Sequence, residues 1–175
     1  LNGIVCSKSL RIGGDKFDEA IVRHVRREHS LLIGERFAED FKINVGTAYL
    51  RPMMEIKQME VRGRDMISGL PKSVVLTSKD SYEALQEPVE AIISAVKEVL
   101  EITPPELAAD IIDKGAVMTG GGALLDGLPR LISDEIQLPV HVADDPISCV
   151  ARGTGKALSM INQLENTNRF ARKAL

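Results

Sequence analysis

Cysteine is scarce in this chain. Cys6 and Cys149 stand alone, with no C-x-x-C pair, which excludes a disulfide framework or a paired-cysteine zinc site and fits a reducing compartment. No apolar run approaches the ~20 residues of a membrane-spanning helix, and nothing has the layout of a signal peptide. The formal net charge of −3 gives no general attraction to nucleic acid. The arginines at 23, 26 and 27 are interleaved with acids and read as a solvated helix face. Familiar catalytic signatures are missing too: there is no nucleophile elbow and no zincin helix. His24 and His29 lie off the i, i+4 spacing of a shared metal, and His141 falls in a strand, so all three read as structural or exposed. Asp144 and Asp145 directly precede Pro146 and read as helix caps rather than a catalytic pair. The residues alone name no base, nucleophile or metal ligand. The chain begins at Leu1 rather than methionine, which reads as a fragment or a processed product.

What is present is a composition 44% hydrophobic and 27% charged over 175 residues, that of a soluble globular protein with one domain or two small ones. Its most informative stretch is Gly115 to Leu125, where an apolar, strand-type run meets Gly120-Gly121-Gly122 and an amphipathic segment, Leu124 to Ile132, follows at once. Strand, glycine turn and helix in that order bring bare backbone and free helix N–H groups to the carboxyl end of a strand, where α/β folds bind ligands. Two known phosphate cradles fail on spacing. A dinucleotide fingerprint would put its third glycine at Leu125, and a P-loop needs a lysine where Leu128 follows Gly127. Gly155-Lys156 fails as well, with Ala157 next and Val150 in place of the first glycine. The loop instead suits a flat group approaching the backbone.

Read in order, Asn2-Gly3 is a turn signal and Ile4 to Ile12 is strand-like, which implies a partner strand upstream. Asp15 and Asp18 approximate a capping box for a helix with the stripe Phe17, Ile21, Val25. Gly34 opens a second helix, Glu35 to about Val45, with Phe37 and Phe41 on one side and Glu35, Glu39 and Lys42 on the other. A Glu39/Lys42 pair is by default a surface ion pair, yet its acceptor and donor also suit ribose hydroxyls. Met54 to Arg62 alternates like a half-exposed strand broken at Gly63. Gly69-Leu70-Pro71 turns the chain into a strand from Lys72 to Thr77. A helical stretch starts at Ser78, with its main run from Pro88 carrying Val89, Ile92, Ile93, Val96, Val99 and Leu100. Thr103-Pro104-Pro105 ends it and starts the next helix, Glu106 to Asp113. Leu138 to Val142 is a short strand, and a last helix runs from Ile147 to about Leu164. Gly153 and Gly155 suggest close packing of that helix against another element or a ligand, and the tail from Asn166 frays.

These residues together resemble the carboxyl-terminal half of MreB-type bacterial actins, of the actin, heat-shock chaperone and sugar-kinase superfamily. The resemblance is carried by Asn2 to Asp15 with Asp18 to Ile21, then Ile33-Gly34-Glu35, Val61 to Arg64, Glu83 to Pro88, Thr119 to Leu125, and Asp145-Pro146 through Cys149 to Gly153. It is collinear to about Ile161. It implies an α/β, actin-like ATPase (ribonuclease H-like) second lobe: a core subdomain from 1–14 and 81–161, a small α+β subdomain inserted at 15–80, and a tail at 162–175. It also implies that Gly120, Gly121, Gly122, Ala123 and Leu124 lie against the adenosine of ATP or ADP. Glu39, Asp40, Phe41 and Lys42 would close over adenine and ribose. Mg2+ would be held through the nucleotide and the first half of the family's chain, which carries the phosphate loops, the magnesium-positioning acids and the membrane attachment.

The resemblance further implies self-association into filaments that maintain rod cell shape, cell-wall elongation proteins as partners, no nucleic acid, and a cytoplasmic place at the inner face of the bacterial membrane. Lacking the phosphate loops, the chain alone is expected not to hydrolyse ATP. One loop departs from the family: Leu50-Arg51-Pro52-Met53 stands where relatives carry a glycine and an acid, a change expected to alter only a surface turn. A sugar- or acetate-kinase-like phosphotransferase fragment and a plain interaction module are the competing classes. The first needs an acidic base that no residue here supplies.

Overall fold

A computed structural model describes residues 3–160. Helix α1 (Gly14–His29) leads to a two-residue strand β1 (Leu31–Leu32), helix α2 (Glu35–Val45), and the hairpin β2 (Gln58–Asp65) and β3 (Pro71–Thr77). Helices α3 (Ser78–Glu101) and α4 (Pro105–Lys114) follow, then strand β4 (Ala116–Met118), a 3₁₀ turn at Gly121–Leu124, helix α5 (Leu128–Ile136), strand β5 (Val140–Val142) and helix α6 (Cys149–Ser159). The strands make two sheets: an antiparallel β1-β2-β3, and a parallel pair, β4 with β5. One continuous apolar core joins them. Phe17, Ile21 and Val25 of α1, Phe41 of α2, Leu31, Val61 and Leu76 of the first sheet, Leu85 of α3 and Leu128 of α5 are all buried in it.

The expected stripe of α1 is therefore its packed face, but its expected cap is not formed. Gly13, which has no side chain to cap with, occupies the N-cap, and Asp15 lies inside the first turn; Asp18 is buried, with its carboxylate taken by Lys42 of α2. Ile4 to Ile12 forms no strand here, since among the described residues nothing pairs with it and its expected partner lies upstream; Ile4 and Val5 are exposed. It lies instead along α3, through a Lys8–Glu98 ion pair and contact of the Cys6 thiol with Thr103. Strand β2 starts at Gln58 rather than Met54, and it runs through Gly63 instead of breaking there. Glycine is needed at that point because β1 passes so close that a Cβ would stand 2.2 Å from the Leu32 carbonyl oxygen.

Helix α3 is a single helix with Pro88 inside it. Its buried face is Ser81, Ala84, Leu85, Pro88, Val89 and Ile93, while Ile92, Val96, Val99 and Leu100 are only half-buried. Helix α6 begins at Cys149 with Ser148 as N-cap, and neither Asp144 nor Asp145 caps it. Gly153 and Gly155 face open space among the described residues, so the expected close packing is not found. The rest of that expected helix, and the tail, lie outside the described residues.

The start of α3 carries a pH-sensitive contact. Thr77 and Asp80 form a capping box: the Asp80 carboxylate accepts from the Thr77 amide at 2.8 Å and hydroxyl at 2.7 Å, and it meets His29 Nε2 at 3.1 Å. Burial opposes ionisation of Asp80, but the Thr77 hydrogen bonds and His29 together hold its pKa below the ordinary carboxylate value. A depressed folded pKa means that the ionised group favours the fold. Its contribution is complete above the unfolded value of about 3.9 and is lost as pH falls through the lower folded value. Urea midpoints measured from about pH 6 down to about pH 3 are expected to fall less steeply for Asp80→Asn than for the wild type. Parallel curves would contradict this.

Candidate functional site

The glycine stretch sits at the carboxyl end of β4. Gly120 has φ 82° and ψ 167°, a region open essentially to glycine alone, and its N–H donates to the Pro146 carbonyl at 2.8 Å. Gly121 and Gly122 differ from it: their φ is ordinary and a Cβ on either would meet nothing within 4 Å. The fold thus requires glycine at 120 but not at 121 or 122. Ala123 is buried and Leu124 is 58% exposed.

The helix expected to follow directly is displaced. A 3₁₀ turn and the bend Leu125-Asp126-Gly127 intervene, with Gly127 at φ 76°, so α5 starts at Leu128. The bare backbone remains, while the helix N-terminus is moved away from the glycines.

On α2, Glu39 is exposed, Asp40 and Lys42 are half-buried, and Phe41 is fully buried in the core. Lys42 does not pair with Glu39. Its ammonium lies 2.8 Å from the Asp18 carboxylate and donates to the Gly14 carbonyl oxygen at 3.2 Å. Gly13-Gly14 links the two halves of the expected site. Gly14 carries that carbonyl, and Gly13 lines an apolar cleft of about 600 Å³ together with Met118, Thr119, Gly122 and Ala123. Of the expected adenosine contacts only Gly122 and Ala123 line this cleft; Glu39, Asp40, Phe41, Lys42, Gly120, Gly121 and Leu124 do not. A second link ties the end of α2 to the bend after the glycines: Thr47 and Asp126 form a parallel bridge, and the Ala48 N–H donates to the Asp126 carbonyl at 2.8 Å.

Three arrangements escaped the sequence reading: Asp18 with Lys42, Thr47 and Arg51 with Asp126, and His24 and His29 around Asp80. The capping-box reading of Asp18 hid the first. His24 is 3% exposed, with neither ring nitrogen hydrogen-bonded, and His141 is exposed. Among the described residues no group of three or more His, Cys, Asp or Glu could hold a metal ion, and no helix is long and apolar enough to cross a membrane.

The architecture matches solved structures closely. MreB 5 of Spiroplasma citri bound to AMPPNP aligns with a TM-score of 0.86 at 35% identity, over 95% of this chain and 49% of that one. The same protein bound to ADP aligns equally well, at 36% identity. The MamK double helical filament shares the fold at a TM-score of 0.65 and 20% identity, over 79% of this chain and 42% of that one. The fold is accordingly an actin-like α/β fold. The model of the MreB/Mbl protein family matches residues 1–166, and the chain belongs to that family.

Among curated relatives, the cell shape-determining protein MreB of Escherichia coli (strain K12) is 55% identical over 162 residues, 93% of this chain and 46% of its own length. The cell shape-determining protein Mbl of Bacillus subtilis (strain 168) is 51% identical over 164 residues, 94% of this chain and 49% of its own. The chain spans about half the length of these relatives.

Proposed function

We propose that this chain is the adenosine-binding lobe of an ATP-dependent, actin-like filament subunit that maintains rod cell shape by organising cell-wall synthesis. The observation that carries the reading is the open space at Gly121 and Gly122. Glycine there is not demanded by backbone or packing, so its use is explained by a flat group lying against the main chain. Gly120, Gly121, Gly122, Ala123 and Leu124 would contact adenosine. The Glu39 carboxylate would accept from a ribose hydroxyl, with Asp40 beside it. Lys42 has three N–H donors, and with Asp18 and Gly14 taking part of them, a ribose oxygen can take another. Phe41, buried, would act by holding α2 in place.

In this reading residues 1–14 and 81–161 form the core subdomain and residues 15–80 the inserted one. Mg2+ would be held through the nucleotide phosphates and the other half of the subunit, which would also reach the inner face of the bacterial membrane from the cytoplasm. The nucleotides bound to MreB 5 support the ligand class, and the MamK filament supports self-association. Cell-wall elongation proteins follow as partners from the cell shape-determining relatives. Val117, Ile147, Val150 and Leu158 are exposed, as suits a lobe that packs against another surface.

Gly121→Asp tests the site. The change meets no neighbour and no strained φ, so the melting temperature is expected to stay close to that of the wild type. The added carboxylate is expected to weaken ADP binding by at least about tenfold, read by fluorescence titration of a labelled ADP. The titration uses the complete subunit; unchanged affinity there, or a complete wild-type subunit that does not bind, would refute the adenosine assignment.

A further inference from the structure

Both sides of the proposed adenosine site are tied to one residue that lies outside it. Thr47, two residues beyond the end of α2, is fully buried. Its amide donates to Ser81 Oγ of α3 at 3.0 Å, and its hydroxyl stands 2.9 Å from Asp126 Oδ2. The same hydroxyl lies 3.1 Å from the Tyr49 carbonyl and 3.3 Å from the Asp126 carbonyl, and it accepts from the Tyr49 amide at 3.2 Å. A hydroxyl has one proton to donate, and a charged acceptor holds it more strongly than a carbonyl does. The Asp126 carboxylate is therefore its favoured partner. Arg51 adds its guanidinium at 3.2 and 3.3 Å from the two carboxylate oxygens. The Leu50-Arg51-Pro52-Met53 turn thus reaches this junction through Arg51.

Backbone contacts tighten the same place. The Ala48 amide bonds to the Asp126 carbonyl, and Gly127 is pressed against Tyr49 so closely that a Cβ would stand 2.8 Å from the Tyr49 Cβ. Asp126 lies two residues after the glycine turn, and Thr47 lies two after α2.

We propose that Asp126 is a positioning residue: through Thr47 and Arg51 it sets the spacing between α2, with Glu39 and Lys42, and the glycine turn, and thereby the affinity for an adenine nucleotide. The inference rests on the adenosine reading above. It adds that the width of the site is governed from a junction that touches no ligand, as a supporting shell does for a preorganised site.

The test is ADP affinity of the complete subunit with Asp126→Ala, Asp126→Asn, and each of these combined with Glu39→Gln. Asp126→Ala is expected to weaken binding about tenfold. Asp126→Asn, which keeps an acceptor for Thr47 but loses the Arg51 ion pair, should fall between Asp126→Ala and the wild type. Glu39→Gln should weaken binding less in the Asp126→Ala background than alone, because α2 is then no longer held at its working distance. Additive penalties, the behaviour of independent sites, would overturn the proposal. Amide exchange without nucleotide gives a second readout: Asp126→Ala should speed exchange in α2 and in residues 120–125 together, and acceleration confined to residues 125–127 would also overturn it. If the wild type binds and Asp126→Ala binds equally well, only this inference fails. If the wild type does not bind, the adenosine assignment fails and this inference with it.

Discussion

Phe41→Ala is expected to lower the free energy of unfolding by about 3–5 kcal/mol. The ring is fully buried, in a core that joins α1, α2, the first sheet, α3 and α5. Truncation removes the transfer free energy of the whole ring and leaves a cavity that close-packed neighbours only partly fill. Against a domain stability of roughly 5–15 kcal/mol the loss is large. Phe37, one turn earlier on the same helix and 39% exposed, provides the control. Its replacement by alanine should lower stability by less than about 1 kcal/mol. Urea titrations followed by circular dichroism compare the two, and equal losses would show that α2 does not rest on the Phe41 side. Because α2 carries Glu39 and Lys42, nucleotide affinity should fall with Phe41→Ala and hold with Phe37→Ala.

The second large effect concerns Gly115, which opens the β4–β5 pair. Its backbone has φ 72° and ψ −170°, where a residue with a side chain is strained by about 1–3 kcal/mol. A Cβ there would also stand 2.4 Å from the Pro139 carbonyl oxygen and 3.0 Å from the Pro139 Cβ. That carbonyl accepts the Ala116 N–H at 2.8 Å, next to the first pair of the ladder, Ala116 with Val140. Gly115→Ala must therefore push β5 away or give up that bond. The expected result is a clear fall in melting temperature and faster amide exchange across residues 116–118. Gly121→Ala, with an ordinary φ and open space around its Cβ, should change stability by only about 0.5 kcal/mol or less. A Gly115→Ala chain as stable as the wild type would show that the close approach of β4 to Pro139 is dispensable.

These two cases also mark what could be read from residue order. Helices α1, α2 and α3 were legible because their apolar residues recur at helical spacing, a signal generated within a few turns of chain. Strand β3 was legible from a short apolar run between a glycine-proline turn and a helix start. The glycine turn was legible from an apolar run meeting three adjacent glycines, although only Gly120 has a backbone reason; the family was legible through its resemblance to MreB-type actins. The strand expected at Ile4 to Ile12 does not form among the described residues because a strand exists only in company, and its expected partner was placed upstream of residue 1. Gly63 was misread as a break because its requirement comes from β1, a strand distant in sequence that pairs antiparallel beside it.

Periodicity and glycine placement, both properties of neighbours in sequence, were enough to specify the helices and the turn at Gly120, while the actin-like family came from the resemblance of collinear motifs to MreB-type actins. Which side chains meet across the molecule was settled only by the chain folding back on itself. Asp18 meets Lys42 across 24 positions, His29 meets Asp80 across 51, and Thr47 meets Asp126 across 79. No local pattern encodes such pairs, because each partner is a common polar residue whose role depends on burial and on where its counterpart arrives.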